Sequence, residues 1–246
     1  MNLVFLRAEL LRILRNRRTV VLSVVMPVAF FFLFSSTTGE SGRSTVYGGL
    51  TVEAYYMVAM ATYAATNALF TAGGRISVER AAGWNRQLRL AGVSGRSYLT
   101  TKLLTAYATA LPGFLAILLL ATTVRGVSLP AARWFEVIAS VLLALAPVAA
   151  LGVWVGYLAG PDSIQPIFGL GSVMIAMVGG MFIPFGIFPD TLRSLFKLLP
   201  PYWSTYAGRA VLTGGWVGWQ GLAVLAVWTA VLSLLAARAY LRDTHK

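Results

Sequence analysis

A basic segment at residues 75–102, RISVERAAGWNRQLRLAGVSGRSYLTTK, separates two apolar runs in this chain. The runs cover residues 54–74 and 103–124. A membrane-spanning helix needs about 20 mostly apolar residues, so each run is long enough to cross a bilayer. This alternation of apolar runs with a basic connection predicts a polytopic membrane protein.

The composition of the whole chain supports that prediction. Hydrophobic residues make up 58% of the 246 residues, charged residues make up 11%, and the mean hydropathy is +0.74. Further apolar runs lie at residues 20–38, 134–158, 166–187 and 219–239. We therefore expect an all-α fold with six transmembrane helices in a single domain over residues 1–246, without internal repeats.

The placement of the basic residues predicts the orientation of the chain. A net charge of +12 would suggest nucleic-acid binding in a soluble protein, but here the Lys and Arg residues lie almost entirely outside the apolar runs, so no nucleic-acid partner is expected. With a cytoplasmic N-terminus, fourteen of them lie inside and six outside, as the positive-inside rule requires. Both termini are predicted to be cytoplasmic, in a bacterial cell membrane.

Residues 1–18 are predicted to form an amphipathic helix on the cytoplasmic membrane surface. Leu3, Leu6 and Leu10 lie on one helical face, and Arg12 lies on the other. The first apolar run could also imitate a secretory signal peptide, but the five runs that follow favour an uncleaved anchor.

Residues for catalysis or metal binding are missing from the sequence. There is no cysteine, the one histidine is His245, and the eight acidic residues lie at or beyond the ends of the predicted spans. The phosphate-binding motif G-x-x-x-x-G-K-[ST] does not occur, so we predict that the chain is not an enzyme and has no metal or cofactor of its own. Proton-coupled carriers usually hold ionisable residues inside the membrane, so another energy source is expected.

The basic segment is longer than a simple turn between two helices requires. Trp84, Leu88 and Ala91 follow helical spacing, which predicts a short helix with one apolar stripe and polar flanks. An alternative is a positively charged anchor that lies on anionic lipid headgroups.

The order of these elements resembles the cytoplasmic coupling segment of ABC-2-type exporter permeases. That segment has an acidic–basic pair, a glycine, an apolar helix and a serine-containing turn, which correspond here to Glu79, Arg80, Gly83, Leu88 and Ser94. A second stretch is similar to the fifth span and outer hairpin of the same family, GGMFIPFGIFPDTLRSLFKLLPPYWSTYAGRAVL. The resemblance covers essentially the whole chain and is closest to drug and antibiotic exporters of the daunorubicin-resistance type.

This resemblance implies a permease subunit of an ATP-driven exporter that moves a hydrophobic or amphiphilic, drug-like compound out of the cell. It implies a homodimer of this chain and two copies of a separate ABC ATPase subunit, which would bind ATP and Mg. The residues implied in coupling to the ATPase are Glu79, Arg80, Gly83, Trp84, Arg86, Gln87 and Leu88.

One face of the second predicted span carries aromatic, thioether and amide side chains at helical spacing. Such side chains suit bulky hydrophobic ligands of variable shape, although ordinary helix packing gives the same pattern. In the resembling family the first, second and fifth spans enclose the transport path. The hypothetical path residues are therefore Met26, Phe30, Phe34, Tyr56, Met60, Tyr63, Asn67, Met174, Met177 and Met181.

Residues 188–216 are predicted to form an extracellular hairpin of two short helices that dips into the outer leaflet. Pro189 and Asp190 can start the first helix, and Pro200 and Pro201 can end it. The aromatic residues here fit an interfacial belt or, as in the resembling family, an outer gate. The gate candidates are Phe182, Phe185, Phe196, Tyr202 and Trp203.

Small residues also mark one predicted span. Gly152, Gly156 and Gly160 recur every four residues, which predicts that another helix of the same chain packs closely against them.

Two alternatives to drug export stay open on the sequence. Within the family, the substrate could be a lipid-linked glycan or a polysaccharide. From a different class, the chain could be an ATP-independent channel or a membrane-bound sensor partner, in which the basic loops would only set topology.

Overall fold

The computed structural model describes residues 17–36, 45–46, 49–84, 87, 90, 92 and 95–244. The predicted interfacial helix therefore lies outside the described residues, apart from Arg17 and Arg18, which begin the first helix.

Helices form nearly all of the described chain. Their bounds are α1 Arg17–Ser35, α2 Val52–Ala81, α3 Gly95–Thr123, α4 Ala131–Ala144, α5 Ala146–Leu158, α6 Pro161–Val178, α7 Asp190–Phe196, α8 Pro200–Leu212 and α9 Gly218–Thr244. A small antiparallel hairpin precedes α2, with strands β1 Thr45–Val46 and β2 Leu50–Thr51. The fold is helical as predicted, and the hairpin is an addition that the sequence did not suggest.

Three helical segments of the described chain are long and apolar enough to cross a membrane. They are Ser97–Thr123, Ala131–Leu158 and Gly218–Asp243. These segments fit a polytopic helical membrane protein, whereas a total of six crossings stays a prediction. The second of them is broken at Leu145, because Pro147 has no N–H to continue the hydrogen-bond ladder of α4 into α5.

Two predicted boundaries differ from the structure. Within the apolar run at 166–187 the α-helix ends at Val178, because the chain turns at Gly179 and Gly180, where Gly180 has a φ of +62°. A short 3-10 helix follows at Phe185–Ile187. The basic segment is shorter than 75–102, since α2 continues to Ala81 and α3 begins at Gly95. Only residues 82–94 connect the two helices.

The central helix of the fold is α2. It packs against α1, α3, α5, α6 and α8, and buried side chains surround it along most of its length. By contrast, α9 packs mainly on α5 and directs most of its surface outward. One continuous, well-packed helix therefore joins the two ends of the fold.

Glycines allow α2 and α5 to approach closely, as predicted for two of the three. A Cβ atom on Gly156 would lie 2.3 Å from the carbonyl oxygen of Gly73, and one on Gly73 would lie 2.3 Å from that of Gly152. Gly160 is not part of this seam, because a Cβ there would meet only the hydroxyl of Ser163, at 3.9 Å.

Candidate functional site

Two groups of interacting side chains lie near opposite ends of α2. Tyr55 belongs to one group and Glu79 to the other, and the 24 positions between them correspond to about 36 Å at 1.5 Å per residue. The hydrocarbon core of a bilayer is about 30 Å thick, so the distance between the two groups exceeds that thickness.

A buried ion pair joins the end of α2 to the start of α3. The Nζ atom of Lys102 donates to the Glu79 carboxylate at 2.8 Å, and both side chains are only 6% exposed. The Tyr98 hydroxyl donates to the other carboxylate oxygen at 3.2 Å, and its ring lies 5.4 Å from the Lys102 ammonium. A buried charge needs such compensation, because burying it alone would be strongly unfavourable.

The neighbouring Arg80 connects α2 to two further helices. Its guanidinium pairs with Asp243 of α9 at 2.8 Å and donates to the backbone carbonyls of Gly156 and Tyr157 at the end of α5. Such charge-assisted hydrogen bonds fix geometry more firmly than neutral ones. We call Glu79, Arg80, Tyr98, Lys102 and Asp243 the ionic cluster.

Glu79 and Arg80 were predicted to lie in the basic segment between two helices, but the structure places both within α2. Both lie in the last turn of α2 and bind other parts of the same chain, so they hold the base of the connecting segment. No sequence pattern predicted the partners Lys102 and Asp243. One indication was available, because Glu79 is the only acidic residue between positions 75 and 102.

The connecting segment turns away from the helix bundle directly after α2. Gly83 adopts a φ of +69°, a conformation that favours glycine. Beyond it, the side chains of Trp84 and Leu90 are 38% and 83% exposed, and Gln87 is also exposed. The other two predicted coupling residues, Arg86 and Leu88, lie outside the described residues.

Five of the predicted path and gate residues form one aromatic cluster. Its members come from α1, from α2 and from the segment after α6: Phe30, Phe34, Tyr56, Tyr63 and Phe182. Phe34 stacks on Tyr56 with ring centroids 5.3 Å apart, and Tyr63 meets the edge of Phe182 at 4.9 Å. Phe182 therefore belongs with the path candidates rather than with the hairpin.

The remaining path candidates divide between the interior and the surface. Met60 and Met181 are fully buried, and Met177 is half-buried. Met26 of α1 and Met174 of α6 are exposed. Within one chain these residues pack together or face outward, so they do not enclose an open channel among themselves in the described structure.

The amide of Asn67, the most polar path candidate, is satisfied within its own helix. Its Nδ2 atom donates to the carbonyl oxygen of Tyr63 at 2.9 Å. This bond removes much of the cost of placing an amide near lipid or apolar side chains.

Two short helices occupy the segment predicted as the outer hairpin, and their boundaries differ from the prediction at one point. Asp190 begins α7 as expected, but α7 ends at Phe196, and Pro200 and Pro201 begin α8 rather than terminating the preceding helix. Proline suits the first turn of a helix, where its missing N–H would have had no partner. The gate candidates Phe185, Phe196, Tyr202 and Trp203 pack here, with the Phe185 and Tyr202 centroids 4.4 Å apart.

Arg209 attaches this hairpin to the rest of the fold. Its guanidinium lies 3.6 Å from the Tyr55 ring centroid and donates to the carbonyl oxygen of Gly180 at 2.7 Å. The Tyr55 hydroxyl donates to the same oxygen at 2.9 Å. Arg209 is one of the six basic residues predicted to lie outside, and no spacing pattern indicated this role.

Comparisons with known proteins agree with the resemblance in the sequence. Residues 33–238 match the family described as ABC-2 family transporter protein. A protein of Bacillus subtilis (strain 168), named "Putative transport permease YvfS", is 25% identical over 230 residues, which cover 93% of this chain and 92% of that protein. Permeases of this family generally pair with an ABC ATPase subunit. The chain thus belongs to the ABC-2 transporter family and is a membrane-embedded permease.

Proposed function

We propose that this chain is the permease subunit of an ATP-driven exporter for hydrophobic or amphiphilic small molecules. The observation that carries the proposal is the connecting segment, which exposes Trp84 and Leu90 and follows the end of α2 that the ionic cluster holds. An exposed apolar surface on a firmly held base is suited to docking a partner subunit. A connection that only reversed the chain would need neither feature.

In this proposal α2 transmits the movement of the ATPase. Its C-terminal end contacts α3 through Glu79 and contacts α5 and α9 through Arg80. Its N-terminal half contributes Tyr56 and Tyr63 to the aromatic cluster. A displacement of the connecting segment would therefore shift α2 and loosen the aromatic contacts, because both ends belong to one continuous helix.

The assembly that we propose contains two copies of this chain and two copies of the ATPase subunit, which bind ATP and Mg. Met26 and Met174 are exposed on α1 and α6, so a second copy could complete a path that a single chain leaves closed. We place the assembly in a bacterial cytoplasmic membrane with both termini inside, because this orientation puts fourteen of the twenty basic residues on the cytoplasmic side.

The aromatic and thioether character of the candidate path favours a flexible apolar substrate such as a drug or an antibiotic. Aromatic and methionine side chains adapt to ligands of different shape, and Asn67 offers one amide within the same face. Glycan or polysaccharide export is the competing substrate class, and it would call for more hydrogen-bonding groups along the path.

The docking role can be tested by purifying the tagged chain from its native host in a mild detergent. We expect an ABC ATPase subunit to co-elute with the wild-type chain and to be lost in Trp84→Asp and Leu88→Asp, because a charge would enter an apolar contact. Val124→Asp is the control, since Val124 is an exposed aliphatic residue at the other end of α3. Equal ATPase recovery in all variants would favour the channel or sensor alternatives.

A further inference from the structure

A groove between α5 and α9 has one charged end and one apolar end. Its charged end is a cleft of about 360 Å³ whose charged side chains are Arg80, Arg238, Arg242 and Asp243. Three arginines and one aspartate give this cleft a net charge of +2. None of these residues except Arg80 belongs to the predicted coupling or path residues.

Two of the arginines are available for a ligand. Arg80 is neutralised by Asp243, whereas Arg238 and Arg242 are exposed one turn apart on α9. Among the described residues, no carboxylate forms an ion pair with either of them. A pair of guanidinium groups at this spacing can bind the oxygen atoms of a phosphate with several charge-assisted hydrogen bonds.

An apolar cavity of about 280 Å³ lies next to this cleft along the same two helices. Trp154 lines both spaces, and the cavity extends past Leu232 and Trp228 of α9 to Met174 of α6. The 14 positions from Trp228 to Arg242 correspond to about 21 Å of helix. One leaflet contributes about 15 Å of hydrocarbon, so the groove has the length of a lipid acyl chain with its headgroup.

The location of the charged end also matches a lipid headgroup. Arg242 lies at the end of the apolar segment Gly218–Asp243, where a membrane-spanning helix meets the headgroup region. Trp154 lies beside the arginines, and tryptophan is enriched at this level of a bilayer.

We propose that this groove binds an anionic phospholipid, with its phosphate at Arg238 and Arg242 and one acyl chain along Trp154 towards Trp228. The lipid would lie against the helix that carries Asp243, and it would thereby support the Arg80–Asp243 pair of the ionic cluster. The groove shares Arg80 with the predicted coupling residues and Met174 with the predicted path residues.

Lipid binding can be measured on the purified, delipidated chain by native mass spectrometry, with phosphatidylglycerol and phosphatidylcholine of matched acyl chains. We expect the wild-type chain to prefer phosphatidylglycerol and the Arg238→Gln/Arg242→Gln variant to bind it about 30-fold more weakly, since each basic residue near an anionic headgroup contributes about 1 kcal/mol and 1.4 kcal/mol is tenfold. The control is Arg193→Gln/Lys197→Gln, which removes the same charge at the same spacing on the outer hairpin.

Two further measurements distinguish lipid binding from the binding of phosphate alone. Trp154→Ala should weaken phosphatidylglycerol binding several-fold, because it removes the aromatic surface that lines both cavities. Inorganic phosphate at millimolar concentration should not displace the lipid; full displacement would mean that phosphate alone is recognised, which overturns the proposal. Equal losses in the groove and control variants, or a change of oligomeric state without a change in lipid binding, would overturn it as well.

Discussion

The buried pair of Glu79 and Lys102 gives a quantitative test of how the connecting segment is held. Lys102→Met removes the ammonium that lies 2.8 Å from the carboxylate, while the hydroxyl of Tyr98 still donates to Glu79. Breaking a buried pair from one side costs about 3–5 kcal/mol. At about 2–4 °C per kcal/mol for a chain of this size, the Tm should fall by roughly 6–20 °C.

The assay is thermal unfolding of the detergent-solubilised chain, followed by the loss of the monodisperse peak in size-exclusion chromatography. The double variant Glu79→Gln/Lys102→Met removes both charges of the pair and should recover most of the lost Tm, because the carboxylate no longer stays buried without its ammonium partner. Arg193→Met is the matched control, since its pair with Asp190 is exposed and contributes about 0–1 kcal/mol.

Two outcomes would refute this reasoning. One is a Tm for Lys102→Met that falls no further than that of Arg193→Met. The other is a double variant that is no more stable than Lys102→Met alone, which would mean that the carboxylate of Glu79 was not the source of the cost.

Three further perturbations test other parts of the structure. Gly156→Ala should lower the yield of folded protein, because its Cβ would overlap a carbonyl of α2 at 2.3 Å, whereas Gly160→Ala, with open space, should leave the yield unchanged in a fluorescence-detected chromatography assay. Arg209→Gln should destabilise the chain by about 1.5–3 kcal/mol through the lost charged hydrogen bond to Gly180, measured by thermal unfolding. Tyr63→Ala should change the range of exported compounds in a cellular efflux assay without changing assembly; identical efflux would assign Tyr63 to packing alone.

Local sequence patterns predicted the helical fold, one close helix contact and the start of one helix. Apolar runs of about 20 residues mark helices because backbone groups in lipid must bond within their own segment. The glycines at 152 and 156 predicted a close helix contact, since only small residues permit it. Pro189 and Asp190 correctly marked the start of α7.

Contacts between distant parts of the chain were not predictable in this way. Arg80 and Asp243 are 163 positions apart, so no periodicity connects them. The same holds for Arg209, whose partner Gly180 lies in another element. Helix ends were misplaced where a charged residue was assumed to mark a loop, because Glu79 and Arg80 find partners that allow the helix to continue through them.

The central claim is that the connecting segment contacts an ATPase subunit, and site-directed crosslinking tests it most directly. The chain has no cysteine, so Gln87→Cys introduces a single thiol on an exposed position of that segment. In native membranes, a thiol-reactive photocrosslinker attached there should capture the ATPase subunit, and the same probe on Val124→Cys should not. Capture of no ATPase from Gln87→Cys, or equal capture from both positions, would contradict the claim.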